Sequence, residues 1–219
     1  MLTPAIILSL LLAYIVGSIP TAVWVGKVFY NTDVREYGSG NAGATNTFRV
    51  LGKAAGIPVL LIDCLKGLIA VKLTLFFAEE PISNAAYVNY QLALGIAAVI
   101  GHIFPIFAGF RGGKGIATLL GVMLAIHHEG ALLSLLVFLV VFAITKYVSL
   151  GSMSAALSFP FVIVLVYQTT VPSLIVFSMF IAILVLITHQ KNIERLLKRE
   201  ESKANISIRN LIKQAGEDD

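Results

Sequence analysis

Seven apolar runs, each bounded by charged or turn-forming stretches, organise this chain: residues 4–25, 54–78, 85–105, 115–126, 130–145, 148–167 and 171–188. A helix needs roughly 20 mainly apolar residues to cross about 30 Å of hydrocarbon, because each residue rises about 1.5 Å and every backbone group must be bonded within the segment. The fourth and fifth runs are short. Residues 115–126 reach only about 18 Å, so they must borrow flanking turns, thin the bilayer or form a re-entrant hairpin with the fifth run. The pattern predicts an all-α polytopic membrane protein with seven transmembrane helices, the fourth and fifth short, and its termini on opposite sides. Residues 1–26 hold no charged side chain and no small-residue cleavage pattern, so they read as a retained span rather than a signal peptide. Residues 1–201 form a single membrane domain, and residues 202–219 a tail.

Composition agrees with a bilayer as solvent. Hydrophobic residues make up 58% of the chain and charged ones 13%, with mean hydropathy +0.89, against about a quarter charged in ordinary soluble domains. The charges sort by side. Lys27, Arg35, Arg49 and Lys53 share one connection, Arg111 and Lys114 another, Lys146 a third, and the tail carries the run from Lys191 to Lys213. The alternate connections hold Glu79, Glu80 and Glu129 with no Lys or Arg, so the positive-inside rule puts the N-terminus outside and the C-terminus in the cytoplasm. The net charge of +4 then serves anionic head groups and substrates, and nucleic acid is not an expected partner. Cys64 stands alone and reads as a packed thiol.

Three charges interrupt the spans. Asp63 and Lys66 lie three apart, share a helical face and can neutralise each other, with direct substrate contact the alternative. Lys72 lies nearer the outer end and can snorkel. In the tail, Ile206, Ile208, Leu211 and Ile212 are too sparse for a span, which predicts an interfacial helix with a frayed acidic end.

The chemistry gathers in the basic connections. GSGNAGATNTFRVLG, residues 38–52, combines glycines that admit a ligand close to the backbone with short polar side chains at Ser39, Asn41, Thr45 and Asn46. A helix starting near Asn41 aims free N–H groups at an anion, and Arg49 follows about two turns on. GSGNAG matches the dinucleotide fingerprint formally, but a membrane span precedes it. GHIFPIFAGFRGGKGIAT, residues 101–118, makes a second anion cradle around Lys114. It is not a nucleotide P-loop, since Ala108 stands for the first glycine and Gly115 for the magnesium-binding Ser or Thr, so ATP is disfavoured.

TKYVSLGSM, residues 145–153, supplies Ser149 and Ser152, which either cap the sixth span or face substrate. HQKNIERLL, residues 189–197, sets His189 and Asn192 on one helical face, where they can orient a hydroxyl nucleophile. His102, at a span end, bonds either a backbone carbonyl or substrate; His127 and His128 face outward. No His and carboxylate spacing suggests a metal site.

These elements, with GSIPTA at residues 17–22 and DCLKG at residues 63–67, resemble the bacterial acyl-phosphate:glycerol-3-phosphate acyltransferases over nearly the whole chain. The resemblance implies an enzyme of the inner membrane of bacteria, active on its cytoplasmic side. It would transfer an acyl group from acyl phosphate to the 1-hydroxyl of glycerol 3-phosphate, giving lysophosphatidic acid and phosphate in the first acylation of phospholipid synthesis. Two phosphorylated substrates match two cradles, and a mixed anhydride needs positioning and charge neutralisation rather than cofactor, metal, ATP or coenzyme A.

Ser39, Gly40, Asn41, Gly43 and Asn46 are assigned to one phosphate, and Arg49, Gly112, Gly113 and Lys114 to the other. Which cradle takes which substrate is open, though the resemblance gives RGGKG to glycerol 3-phosphate. His102, Thr118, Ser149 and Ser152 join the substrate-binding set, and Asp63, Lys66 and Glu201 are structural. Ser39, Arg49, Lys114, His189 and Asn192 carry the reaction. The base is His189 or, as this reading prefers, a phosphate oxygen of the donor. Two positions depart from the family pattern: Gly151 replaces a frequent alanine, and Arg199 replaces a glycine ahead of Glu201, which puts the turn after the last helix in question. A transporter of organic phosphates is the alternative, for which Asp63 and Lys66 inside the membrane would be expected.

Overall fold

The computed structural model describes residues 3–78 and 83–204. Glu79, Glu80 and the tail residues Ile206, Ile208, Leu211 and Ile212, all used above, lie outside the described residues. Every described segment of regular structure is helical: α1 (Pro4–Gly17), α2 (Thr21–Tyr30), α3 (Ala44–Leu51), α4 (Lys53–Lys72), α5 (Thr74–Phe77), α6 (Asn84–Ile103), α7 (Ile116–Ile126), α8 (His128–Thr145), α9 (Val148–Phe161), α10 (Pro172–Thr188) and α11 (Gln190–Leu197).

All seven apolar runs fold as helices, with informative differences in length. The first run is bent by 41° between α1 and α2, where Pro20 has no N–H to offer the ladder. The fifth run begins two residues earlier than expected, and α8 has 18 residues, enough to span. The fourth keeps its shortness at 11 residues. Among the described residues, four helical units can cross a membrane by length and composition, or six if the bent pairs α1–α2 and α10–α11 each count as one span.

Association of helices in lipid rests on close packing rather than on hydrophobic transfer, so small residues matter at the contacts. At the α4–α7 crossing a Cβ on Gly67 would strike the Thr118 carbonyl, and one on Gly121 the Cys64 carbonyl. The two backbones therefore touch, and short α7 is held deep in the bundle. Leu119 and Val122 of α7 pack with Val99 of α6, Met153 and Phe159 of α9, and Phe177 and Ile181 of α10 in the main core. The outer faces present Leu61, Ile144, Val176 and Ile183, all more than half exposed, as side chains bordering hydrocarbon would be.

Asp63 and Lys66 pair as their spacing predicts. Lys66 Nζ lies 2.8 Å from Asp63 Oδ1 and also donates to the Ile19 carbonyl at 2.9 Å. Thr21 Oγ1 donates to the same Asp63 oxygen at 3.0 Å. The pair therefore ties both sides of the α1–α2 break, adding a charged donor to the Ile19 carbonyl, which also accepts from the Thr21 N–H at 3.0 Å.

Candidate active site

The first loop is built from its own side chains. Asp33 accepts from the Arg35 backbone N–H at 3.0 Å and starts a single 3-10 turn, Val34–Glu36. Arg35 grips Asp33 with Nε at 2.9 Å and Nη2 at 2.7 Å, while its Nη1 donates to the Ala108 carbonyl of the second loop at 2.8 Å. The Arg35 guanidinium holds the Asp33 carboxyl well below the usual carboxylate range. Asn46, 2% exposed, donates to the carbonyls of Val34 and Tyr37 and accepts from the Ser39 N–H at 2.8 Å and Ser39 Oγ at 3.1 Å. Its amide is thus committed to shaping the loop. Helix α3 begins at Ala44, with Gly43 as its cap, three residues later than the expected start near Asn41. Ser39, Gly40 and Arg49 are exposed around it, and Asn41 is half-buried.

The second loop folds back on the end of α6. Gly112 and Gly113 donate their N–H groups to the carbonyls of Ile103 and His102 at 3.1 and 3.2 Å. A Cβ on Gly112 would strike the His102 carbonyl, and one on Gly113 would strike His102 Nε2 and stand 3.0 Å from the Ala42 carbonyl. Only glycines allow this fold, and the two loops meet at Ala42 and Gly113. Lys114 turns toward α11, where its Nζ bonds to Asn192 Oδ1. Burial, then the nearby cations Arg195 and Arg49, push the Lys114 pKa down to about 8, against an opposing pull from Glu201.

Glu201 joins the last two stretches. Its Oε1 accepts from Asn192 Nδ2 at 2.7 Å and Ser149 Oγ at 2.9 Å, and its Oε2 from Arg195 Nε at 2.7 Å. Burial raises its pKa, yet donation by Arg195, Asn192 and Ser149 prevails and the net shift is downward. The chain past Glu201 is held by the Ala204 N–H, which donates to the Lys146 carbonyl at 2.9 Å. His189, just beyond α10, sets Nδ1 2.8 Å from the Val185 carbonyl. A carbonyl can only accept, so Nδ1 carries the proton and Nε2 keeps its lone pair. Burial, followed by the charge on Lys114, holds the His189 pKa down to about 4, which leaves the ring neutral.

All four expected stretches therefore come together at one end of the bundle. Not every expected residue faces the space they enclose. Thr118 is fully buried in the α4–α7 contact, its Oγ1 without a hydrogen-bond partner; Ser152 donates to the Val148 carbonyl of its own helix at 2.9 Å; Ser149 holds Glu201. Sequence reasoning gave no role to Arg195 or Arg35. Arg195 follows Asn192 by three residues, the spacing that puts both on one face of α11. The Arg35 clasp has no sequence signal, because its partner is a backbone carbonyl 73 residues away.

A family model described as glycerol-3-phosphate acyltransferase matches residues 7–199. Among relatives, a glycerol-3-phosphate acyltransferase of Listeria monocytogenes is 47% identical over 202 residues, spanning 92% of this chain and 98% of that protein. One of Enterococcus faecalis is 41% identical over 211 residues, 93% and 94% of the two chains. A crystal structure of PlsY (YgiH), an integral membrane glycerol 3-phosphate acyltransferase in its glycerol 3-phosphate form, superposes with a TM-score of 0.81 at 35% identity. It covers 91% of this chain and 96% of its own. With the motifs spread from the first helix to the last and the match unbroken across them, the chain belongs to the glycerol-3-phosphate acyltransferase family.

Proposed function

We propose that this protein transfers the acyl group of an acyl phosphate to the 1-hydroxyl of glycerol 3-phosphate, at the cytoplasmic face of a bacterial inner membrane. The observation that carries the reading is the convergence of Lys114, Arg49 and Arg195 around one space, where the only carboxylate among the named neighbours, Glu201, is already occupied by three donors. Such a surplus of positive charge suits two anionic reactants held side by side. The solved PlsY structures, in glycerol 3-phosphate and lysophosphatidic acid forms, support this acceptor and product.

In this reading Lys114, set in place by the Gly112–Gly113 turn whose N–H groups are bonded to the end of α6, holds the phosphate of glycerol 3-phosphate. The Ser39–Gly43 loop and the N–H groups that open α3 hold the acyl phosphate. The 2-hydroxyl of the acceptor donates a hydrogen bond to His189 Nε2, which leaves the 1-hydroxyl proton directed at the donor while the 1-hydroxyl oxygen attacks the acyl carbon. The carbon–oxygen bond to phosphate breaks, and a phosphate oxygen takes the hydroxyl proton. A neutral imidazole with a pKa near 4 is too weak a base to hold that proton, so His189 orients the nucleophile. Lys114 and Arg49 neutralise the charge that grows on the leaving phosphate.

The sidedness of Lys and Arg supports seven crossings, with α7 as the short one, the N-terminus outside and the tail in the cytoplasm. Purified protein in detergent, given palmitoyl phosphate and glycerol 3-phosphate, should release inorganic phosphate in step with lysophosphatidic acid. Palmitoyl-coenzyme A should not replace the donor. Acylation that ran only with the thioester would overturn the donor assignment.

A further inference from the structure

Beneath the Gly112–Lys114 loop lies a buried polar stack that the steps above do not use. The imidazole of His102, 6% exposed, lies directly under Gly113, so close that a methyl group there would collide with Nε2 and come within 3.0 Å of Cε1. On its other edge Nδ1 has no hydrogen-bond partner and stands 3.7 Å from Asp63 Oδ1. That same oxygen receives Thr21 Oγ1 and Lys66 Nζ. A line of contacts thus runs from the break between α1 and α2, through one carboxylate oxygen and one imidazole, to the glycine next to Lys114.

We propose that Asp63 and His102 are positioning residues for the substrate-binding loop: the carboxylate sets the imidazole, and the imidazole sets the height of Gly113 and with it the direction of Lys114. Neutralising Lys66 would require only the ion pair. It would not require a histidine at the shared oxygen, nor a glycine fitted to the ring. A buried ring nitrogen without a partner is costly, and Asp63 Oδ1 is the acceptor it faces. Closing 3.7 Å to an ordinary hydrogen bond moves the ring by less than about 1 Å. Because the loop is bonded to the His102 carbonyl and packed on its ring, the loop follows. A displacement of that size at a substrate-holding group is enough to change apparent affinity by about ten- to a hundredfold.

The inference rests on the reading that this loop holds glycerol 3-phosphate, and its test separates the two. His102→Asn removes Nε2 and Cε1, the ring atoms nearest a Gly113 methyl, while keeping a polar atom toward Asp63. His102→Asn and Gly113→Ala should each raise the KM for glycerol 3-phosphate about tenfold, with kcat little changed. The double variant should be no worse than the worse single one, since the added methyl then occupies the space of the missing ring. Factors that multiply in the double variant would show that ring and glycine act independently and would overturn the proposal.

Asp63→Asn with Lys66→Met keeps the buried site neutral, and its folding can be checked by the thermal unfolding midpoint. It should still show the raised KM; a wild-type KM there would reduce Asp63 to charge balance. If the same coupled rise appears in the KM for acyl phosphate instead, positioning stands and only the substrate assignment of the loop fails.

Discussion

Replacing Glu201 by alanine removes one side chain and leaves three donors without an acceptor: Asn192 Nδ2, Ser149 Oγ and Arg195 Nε. Hydrogen bonds to a charged group contribute about 1.5–3 kcal/mol each. Arg195 is one-third exposed, so water replaces part of its share, and three neighbouring bonds do not add fully. The expected loss for Glu201→Ala is therefore about 3–5 kcal/mol, as for breaking a buried ion pair from one side. Glutamine in its place retains an oxygen for Asn192 and Ser149 but turns an amide toward Arg195, and should lose about 1–2 kcal/mol.

Thermal unfolding in one detergent should rank wild type above Glu201→Gln and Glu201→Ala lowest. Activity should fall along the same series, because Asn192 loses the bond that keeps its oxygen toward Lys114. The linkage has a definite sign: the Glu201 pKa is depressed in the fold, so its contribution is present above the ordinary glutamate range and lost as pH falls through the folded value. An alanine variant that melts with wild type at pH 7 would refute this account of the network.

Lys114, with its pKa near 8, loses its charge as pH rises through that value, so the KM for the anion it holds should climb above about pH 8; Lys114→Arg, whose guanidinium stays charged, should abolish that alkaline rise in a pH series of initial rates. Arg199 occupies the left-handed region at φ +60, where a non-glycine residue costs about 1–2 kcal/mol. Arg199→Gly should therefore raise stability by about 0.5–1 kcal/mol after glycine's own entropic cost, read as a higher unfolding midpoint. Arg35→Ala cuts the bond to the Ala108 carbonyl that joins the loops and leaves the Asp33 carboxylate with Lys27 as its remaining cation, so it should raise both substrate KM values by about tenfold and also lower the unfolding midpoint.

Much of the fold was legible because a bilayer enforces one rule: each run of about 20 apolar residues becomes a helix. The break at Ser18–Pro20 was less so, since its cause is one proline inside a continuous apolar run and its compensation comes from Lys66, 47 residues away. Lys114 and Asn192, singled out in separate motifs, are brought together by the fold. Asn46 and Ser149 share that chemistry, yet the fold uses them on the loop backbone and on Glu201. Polar residue types alone do not separate a group that holds a ligand from one that holds the loop. The departure at Arg199 is resolved by geometry. Its N–H donates to the Leu196 carbonyl at 3.1 Å and that of Glu200 to Arg195 at 2.7 Å, the bonding that ends a helix at a left-handed residue. The turn that aims Glu201 survives without its glycine.

Helix α7 has 11 residues, so it rises only about 16 Å, roughly half the hydrocarbon thickness. A helix of that length cannot bring its two ends to opposite membrane surfaces, so irregular backbone must complete whatever crossing it makes. Irregular backbone at membrane depth is tolerated only where protein encloses it, as His102 and Ala42 do at Gly113. For the proposed reaction, a loop at that level would let a water-soluble acceptor meet a donor whose tail stays in the leaflet.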